Sequence, residues 1–453
     1  MSNQESTVLV PAEERKGTPK ELFFIWFASN IGIMGVVYGA IIVGYNLSFL
    51  QSLLAAAVGA ISFGLVGYLS LSGRDTGATT FILSRAAFGF KGNYIPTFMG
   101  WLNLVGWLAV NVATGTLTIL ALLSLLGFNQ NTLLTIIALL IFAGLIILSS
   151  IFGQDSLVKI QTFFTYVFGG LTLLILAILI PKTNWTELFN MANGSWISGF
   201  LPAVSIIIAG TGISWSIAAA DYSCYQKPKQ SSRSVISSVT FGAFIPLFVI
   251  MSVGVLMSTS VPDLASAANP IEAISHALPN WVTILYFVTA IGGLIPQCII
   301  SLKSARVNLE TLNIRVSNKT SIIIHAVIMI LIPIYTLFIS QDFMGNFQMF
   351  LGLLGIGMAA WAAVFLVDYV KIRRKKGYDI KLLTDEKANG VNYNGVISWL
   401  TGAVVGYLFT NSPFFNGPFA KGIFQDNSLG VLLAFAVSAV LHIILLSVNS
   451  KKE

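Results

Sequence analysis

The sequence predicts an all-α integral membrane protein with about twelve transmembrane helices. Three observations carry this. Only 9% of the 453 residues are charged while 55% are hydrophobic, and the mean hydropathy is +0.82; soluble chains carry roughly 25% charged residues. Apolar runs near the length of about 20 residues that a helix needs to cross a bilayer succeed one another from Leu22 almost to the C-terminus. Lysine and arginine collect in alternate gaps between those runs, as they do where basic loops stay cytoplasmic.

The elements follow in order. A polar tail, 1–21, carries Glu13, Glu14, Arg15, Lys16 and Lys20 and lacks the apolar region and cleavage site of a secretory signal. The predicted spans are Leu22–Val43, Phe49–Leu71, Ile95–Leu126, Leu133–Phe152, Phe163–Ile180 and Ile197–Tyr222. They continue with Val235–Met257, Trp281–Ser301, Ile322–Ile339, Phe347–Val370, Gly395–Leu408 and Leu429–Val448. Gly395–Leu408 is the shortest. Between the tenth and eleventh, residues 371–394 form a charged connector with seven lysines and arginines, from Lys371 to Lys387. Residues 449–453 close the chain.

An even number of spans puts both termini on one side. There fall Arg15, Lys16, Lys20, Arg74, Arg85, Lys91, Lys159, Lys227, Lys229 and Arg233. Lys303, Arg306, Arg315, Lys319, the basic run of 371–394, Lys451 and Lys452 join them. Of the 25 lysines and arginines only Lys182 and Lys421 fall opposite. The positive-inside rule then makes both termini cytoplasmic. The net charge of +7 is loop charge, so it does not point to nucleic acid. The expected setting is a multi-pass protein of the cytoplasmic membrane.

Several classes drop out. Cys224 and Cys298 make no disulfide framework, and His276, His325 and His442 have no metal-ligand spacing. None of the 18 acidic residues lies in the middle of a predicted span. A membrane-embedded enzyme would need paired acids, a His cluster or a nucleophile–base pair at depth. There is no phosphate-binding loop for ATP-driven transport and no filter-like motif for a channel. A secondary transporter remains.

Polar groups inside a bilayer must be satisfied or must act on something. The first span carries Ala28-Ser29-Asn30-Ile31-Gly32, and the sixth carries Gly210-Thr211-Gly212-Ile213-Ser214-Trp215-Ser216. Glycine is a poor helix former and hydroxyls compete for backbone bonds, so both spans are candidate broken helices. Matching breaks in two halves of a chain are the best sequence pointer to a transporter site; small-residue helix packing is the alternative. In the third span Asn103, Trp107 and Asn111 recur every four residues, making one stripe on one face. An indole beside an amide suits a flat heteroaromatic solute, while Asn103 also suits a bond to a neighbouring helix. The eighth span holds Gly292-Gly293-Leu294-Ile295-Pro296-Gln297, where Pro296 frees a carbonyl and Gln297 places an amide at depth. Lys303 and Arg306 read as snorkelling side chains. Asp221 reads as a helix cap or ion-pair partner.

The chain also resembles the nucleobase–cation symporter-1 family, in its purine–cytosine permease branch. The likeness rests on Trp26-Phe27-Ala28-Ser29-Asn30; on Leu83-Ser84-Arg85 with Phe88-Gly89 and Gly92-Asn93; on Gly106-Trp107 with Asn111; and on Gly210 through Ser214-Trp215 to Ala220-Asp221-Tyr222. Asp368-Tyr369 and Ser398-Trp399-Leu400 look familial too. The resemblance implies a leucine-transporter-type fold. Residues 22–180 would form the first five-helix repeat and 197–370 its inverted partner. Residues 395–448 would be two extra helices.

It further implies import of a nucleobase, cytosine or a purine, by alternating access coupled to a cation or proton, the protein acting as a monomer. The base would stack on Trp107, with Asn111 and Gln297 reading its edge. Trp215 matches a sixth-helix tryptophan of fungal-type permeases. Thr211, Gly212 and Ser214 would add backbone and hydroxyl contacts, with Ser29 and Asn30 nearby. A cation site would use carbonyls near Ala28, Ile31, Gly292 and Gly293. Sodium-coupled members place two hydroxyls where this chain has Gly292 and Gly293, and the family's eighth helix usually carries asparagines where it has Gly293, Leu294 and Ile295. The first departure leaves H⁺ and Na⁺ both open as the coupling ion. The second keeps another heterocycle open as the solute: a thiamine-precursor pyrimidine, a hydantoin, allantoin or a vitamin.

Overall fold

Helix propensity and side-chain competition account for the first feature of the computed structural model, the break in the first span. Pro19 opens the helix Pro19–Asn30, where its missing N–H costs nothing, and Glu21 accepts from the Thr18 N–H at 3.3 Å. At the other end Ser29 donates to the Ile25 carbonyl at 2.6 Å and Asn30 to that of Trp26 at 2.8 Å. These side chains compete with the helix's own ladder one turn before its end. After Asn30-Ile31-Gly32-Ile33 the chain resumes as Met34–Gly44, bent by 63°. Described are residues 9–149, 154–258, 261, 264, 267, 269–275, 278–314, 316–387, 389–412, 414–425 and 428–449. The expectations for 1–8, 150–152, His276, Arg315, Lys451 and Lys452 fall outside them.

The sixth span is distorted where its glycines predict it. A regular helix, Leu201–Ile208, passes into a wider π-turn, Ala209–Ile213, then into Ser214–Ser216 and, after a turn, Ala219–Ser223. π-Turns inside helices concentrate at functional sites. The second span breaks beside it, between Phe49–Ile61 and Gly64–Thr76. There the Ser62 hydroxyl accepts from the Gly212 N–H at 3.2 Å and lies 3.2 Å from the Thr211 hydroxyl.

The remaining spans are Tyr94–Leu125, Thr132–Ser149, Thr162–Lys182, Ser232–Met257, Asn280–Thr311, Lys319–Ser340, Phe343–Lys376 and Leu429–Val448. Among the described residues, ten helices are long and apolar enough to cross a membrane, and the bent pair makes eleven. The predicted eleventh span is a helix, Tyr393–Leu408, of 16 residues. That is about 24 Å at 1.5 Å per residue, short of a hydrocarbon core of about 30 Å. The eighth span runs ten residues beyond its predicted end at Ser301, carrying Lys303 and Arg306 on its last turns.

Burial separates core from perimeter. The sixth and tenth spans each bury 72% of their most apolar window, the ninth only 17% and the twelfth 22%. The third and eighth spans pack along each other through the middle.

The basic end is more ordered than a set of connectors. A short helix, Thr80–Phe88, lies between the second and third spans. The Asp221 carboxylate receives the Thr80 N–H and hydroxyl, each at 2.9 Å, so Asp221 caps a helix end as its position suggested. Arg85 donates to the carbonyls of Leu383 and Thr311, each at 2.8 Å, over the Phe90 ring. The stretch 371–394 is docked rather than free: the Phe90 and Lys91 N–H groups donate to Asn389 and Gly390, and the Asn392 N–H to Phe88.

Candidate functional site

The breaks in the first and sixth spans face each other across the third and eighth. They enclose a cavity lined by Ser29, Asn30, Gly32, Met34, Gly35, Tyr38, Trp107, Gly210, Thr211, Trp215, Leu247 and Gln297. Its volume is about 30 Å³, room for about one or two waters. Ligand pockets run to roughly 300–1,000 Å³, so this form is closed around its centre. Two larger voids lie towards the far end. One, of about 410 Å³, is bounded by Val43, Asn46, Met191 and Leu264; the other, of about 230 Å³, by Tyr45, Gln348, Asn411 and Ser428. Neither gathers ionisable side chains.

Trp107 is held on its polar and apolar sides. Its indole N–H donates to the Ser214 hydroxyl at 2.7 Å. That hydroxyl donates to Asn103 Oδ1 at 3.0 Å, and Asn103 Nδ2 donates to the Ser214 carbonyl at 3.3 Å. Phe347 and Phe350 of the tenth span stand edge-on to the ring, with centroids 5.8 and 5.7 Å away. Trp215 is set edge-on against Trp26, at 5.6 Å. Two indoles with fixed planes therefore bound the cavity, a favourable arrangement for stacking a flat ring.

Six of the nine candidate contact residues meet here: Ser29, Asn30, Trp107, Thr211, Trp215 and Gln297. Three stand outside the lining. Ser214 spends its hydroxyl within the Trp107–Asn103 network, Gly212 gives its N–H to Ser62, and Asn111 is fully buried beside Cys298 of the eighth span. Among the six, the hydroxyls of Ser29 and Thr211 donate to carbonyls one turn back in their own helices. The Asn30 amide likewise donates to the Trp26 carbonyl but keeps its oxygen and a second N–H, and Gln297 adds a second amide to the cavity. Sequence reasoning missed Tyr38 and Leu247. The only sequence signal for Tyr38 is an aromatic residue in a span shortly past a predicted break, which equally describes a core residue.

At the expected cation site the residues offer backbone carbonyls but no hydroxyl side chain from the eighth span. The break at Ala28–Ile31 leaves carbonyls without helical partners, and Pro296 cannot donate to the Gly292 carbonyl. The eighth span brings the Gln297 amide to the level of the break but has no hydroxyl at Gly292 or Gly293. A Cβ on Gly292 would meet Phe164 Cε1 at 2.6 Å, and one on Gly293 would run into the Phe168 ring. Two rings of the fifth span fill the volume that two hydroxyl ligands would need. Among the described residues no cluster of His, Cys, Asp or Glu could hold a metal. Lys303 lies farther along, its Nζ 4.6 Å from the Tyr225 ring centre and 5.4 Å from that of Tyr222.

Comparison with known proteins agrees with this architecture. Residues 9–444 match the family model described as permease for cytosine/purines, uracil, thiamine, allantoin. The putative purine-cytosine permease YxlA of Bacillus subtilis is 27% identical, across 98% of this chain and 96% of its own. Among solved structures, Mhp1, a nucleobase-cation-symport-1 family transporter, in a closed conformation with bromovinylhydantoin bound, superposes with a TM-score of 0.77 at 19% identity. The match covers 99% of this chain and 96% of that one. A Na⁺-coupled sialic acid symporter superposes at 0.65 with 13% identity, over 97% and 92%. The fold is therefore the leucine-transporter type, and the protein is a multi-pass transporter rather than an enzyme. The chain belongs to the nucleobase–cation symporter family of permeases.

Proposed function

We propose that this protein is a secondary active importer of a nucleobase, cytosine or a purine, in the cytoplasmic membrane, acting as a monomer with both termini cytoplasmic. The observation that carries the reading is the pair of fixed indoles, Trp107 and Trp215, at the cavity where the two broken spans meet. A base would enter between them after the cavity widens, stack on Trp107, and exchange hydrogen bonds with Asn30 and Gln297. Amides supply both donors and acceptors in one plane. Thr211 and Ser29 add hydroxyls that already have backbone partners. Gly212 and Ser214 act from behind by holding the indole and the sixth span, while Asn111 lies buried in the third span beyond the lining. The names of the relatives support the solute class.

Coupling runs through protons rather than sodium in this proposal, a reading supported by Phe164 and Phe168, which stand where side chains at Gly292 and Gly293 would project. A second reading keeps the mechanism and changes the solute to another flat heterocycle. It is favoured by the eighth span, which presents the single amide Gln297 to the cavity.

The test is uptake of labelled cytosine, adenine, guanine and hypoxanthine into cells lacking their own base permeases, with sodium, without it, and with a protonophore. Saturable uptake of one base that persists without sodium and collapses with the protonophore is the expected result. No uptake of any base, with uptake of a hydantoin or pyrimidine vitamin precursor, would move the solute to the second reading.

A further inference from the structure

Tyr38 lies in the outer half of the broken first span, two turns beyond the break. Its side chain is 3% exposed and lines the same cavity as the two indoles. Its hydroxyl is buried without a hydrogen-bond partner. The neighbouring hydroxyls contrast with it: Ser29, Ser62, Thr211, Ser214 and Ser216 all donate to protein oxygens. A buried hydroxyl that has given up water and gained nothing is destabilising. Such groups in a folded protein need a reason.

Two further features keep the hydroxyl in place. The ring is packed at 5.7 Å against Phe347, which itself stands against Trp107. The Tyr38 Oη fills the spot where a Cβ on Gly210 would stand, so only glycine at 210 lets the hydroxyl reach the π-turn of the sixth span. The phenol therefore points at the point where the first, third and sixth spans converge, with one donor and free acceptor capacity.

We propose that Tyr38 is a solute-contacting and specificity-determining residue: its hydroxyl completes its hydrogen bonding on a carbonyl or ring nitrogen at the edge of the bound heterocycle. This rests on the nucleobase-importer reading above. It also accounts for how a chain with one amide on its eighth span recognises an edge. The phenol comes from the first span and adds a second edge-reading group to the cavity that Gln297 lines. A site whose buried polar group is left unpaired discriminates strongly against analogues lacking the complementary atom.

The experiment compares wild type, Tyr38→Phe and Gly210→Ala, at matched surface expression, in uptake of the preferred base. Each is then challenged with unlabelled competitors that lack one edge atom: deaza purines, or pyrimidines without the ring carbonyl. Tyr38→Phe keeps the ring packing and loses only the hydroxyl. The expected result is a rise in KM of about tenfold, together with loss of discrimination against one deaza or decarbonylated analogue and no other. Gly210→Ala, which displaces the hydroxyl, gives the same selective change with Tyr38 intact. Wild-type uptake with an unchanged KM and an unchanged competitor profile in Tyr38→Phe would overturn the inference and leave the importer reading standing. Absence of transport or competition by any heterocycle in wild type would overturn both.

Discussion

Replacing Ser214 by alanine tests the geometry around Trp107 directly. In the native fold the Ser214 hydroxyl accepts from the Trp107 indole at 2.7 Å and donates to Asn103 at 3.0 Å. The indole is 3% exposed and Asn103 2%. Ser214→Ala therefore orphans one buried donor and one buried acceptor. At about 1–3 kcal/mol for each, the loss is about 2–6 kcal/mol, a factor of roughly 30 to 20,000 at about 1.4 kcal/mol per tenfold. Trp107→Phe alone spares the Ser214–Asn103 bond. The double variant Trp107→Phe with Ser214→Ala should then be less damaged than the sum of the singles, by about 1–2 kcal/mol of coupling. Ser216→Ala is the control, because that hydroxyl donates at 2.6 Å to Ile213 in its own helix; its cost should stay below about 0.5 kcal/mol. The assay is thermal unfolding of detergent-purified protein with and without base, alongside uptake KM. Equal melting and equal KM for Ser214→Ala and Ser216→Ala would refute the network as the device that fixes the indole.

Further outcomes follow from other contacts. Replacing external sodium by choline should leave both uptake and the melting temperature unchanged, since Phe164 and Phe168 exclude side-chain ligands from Gly292 and Gly293; a sodium-dependent rise in melting temperature would refute this. Arg85→Ala should lower surface expression and stability by about 2–4 kcal/mol, because one guanidinium serves Leu383 and Thr311 together. Arg85→Lys should not rescue it, as a point charge cannot hold two carbonyls in a fixed fork; full rescue in a melting assay would count against the staple. Lys303→Ala should keep uptake within about threefold, since Lys303 lies outside the cavity lining and its nearest ring contact is to Tyr225. Retained exchange without accumulation would instead make Lys303 part of the coupling.

Much of this was legible from the residues. Hydropathy located the spans because lipid demands unbroken apolar helices. The break at Asn30–Gly32 was legible because side-chain amides, hydroxyls and glycine weaken a helix locally. Trp107 and Gln297 stood out as polar groups with no reason to be at depth. What escaped depends on distant contacts. Ser214 looked like a solute ligand until Asn103 and Trp107 were seen to use up its hydrogen bonds. Gly292 and Gly293 looked like a gap in a cation site, whereas they are the seats of two phenylalanine rings from the fifth span. The helix Thr80–Phe88 carries no periodic signal, since it is buried on every side and depends on Asp221, 141 positions away, for its first hydrogen bonds. Tyr38 was hidden because an aromatic in an apolar run reads as core until its hydroxyl is found without a partner.

The most direct test of the central claim is labelled-base uptake by wild type and Trp107→Ala at equal surface expression in cells without base permeases. The account predicts saturable uptake by wild type and none above background by Trp107→Ala. Equal uptake by the two would contradict it, because the base would then not be binding on that indole.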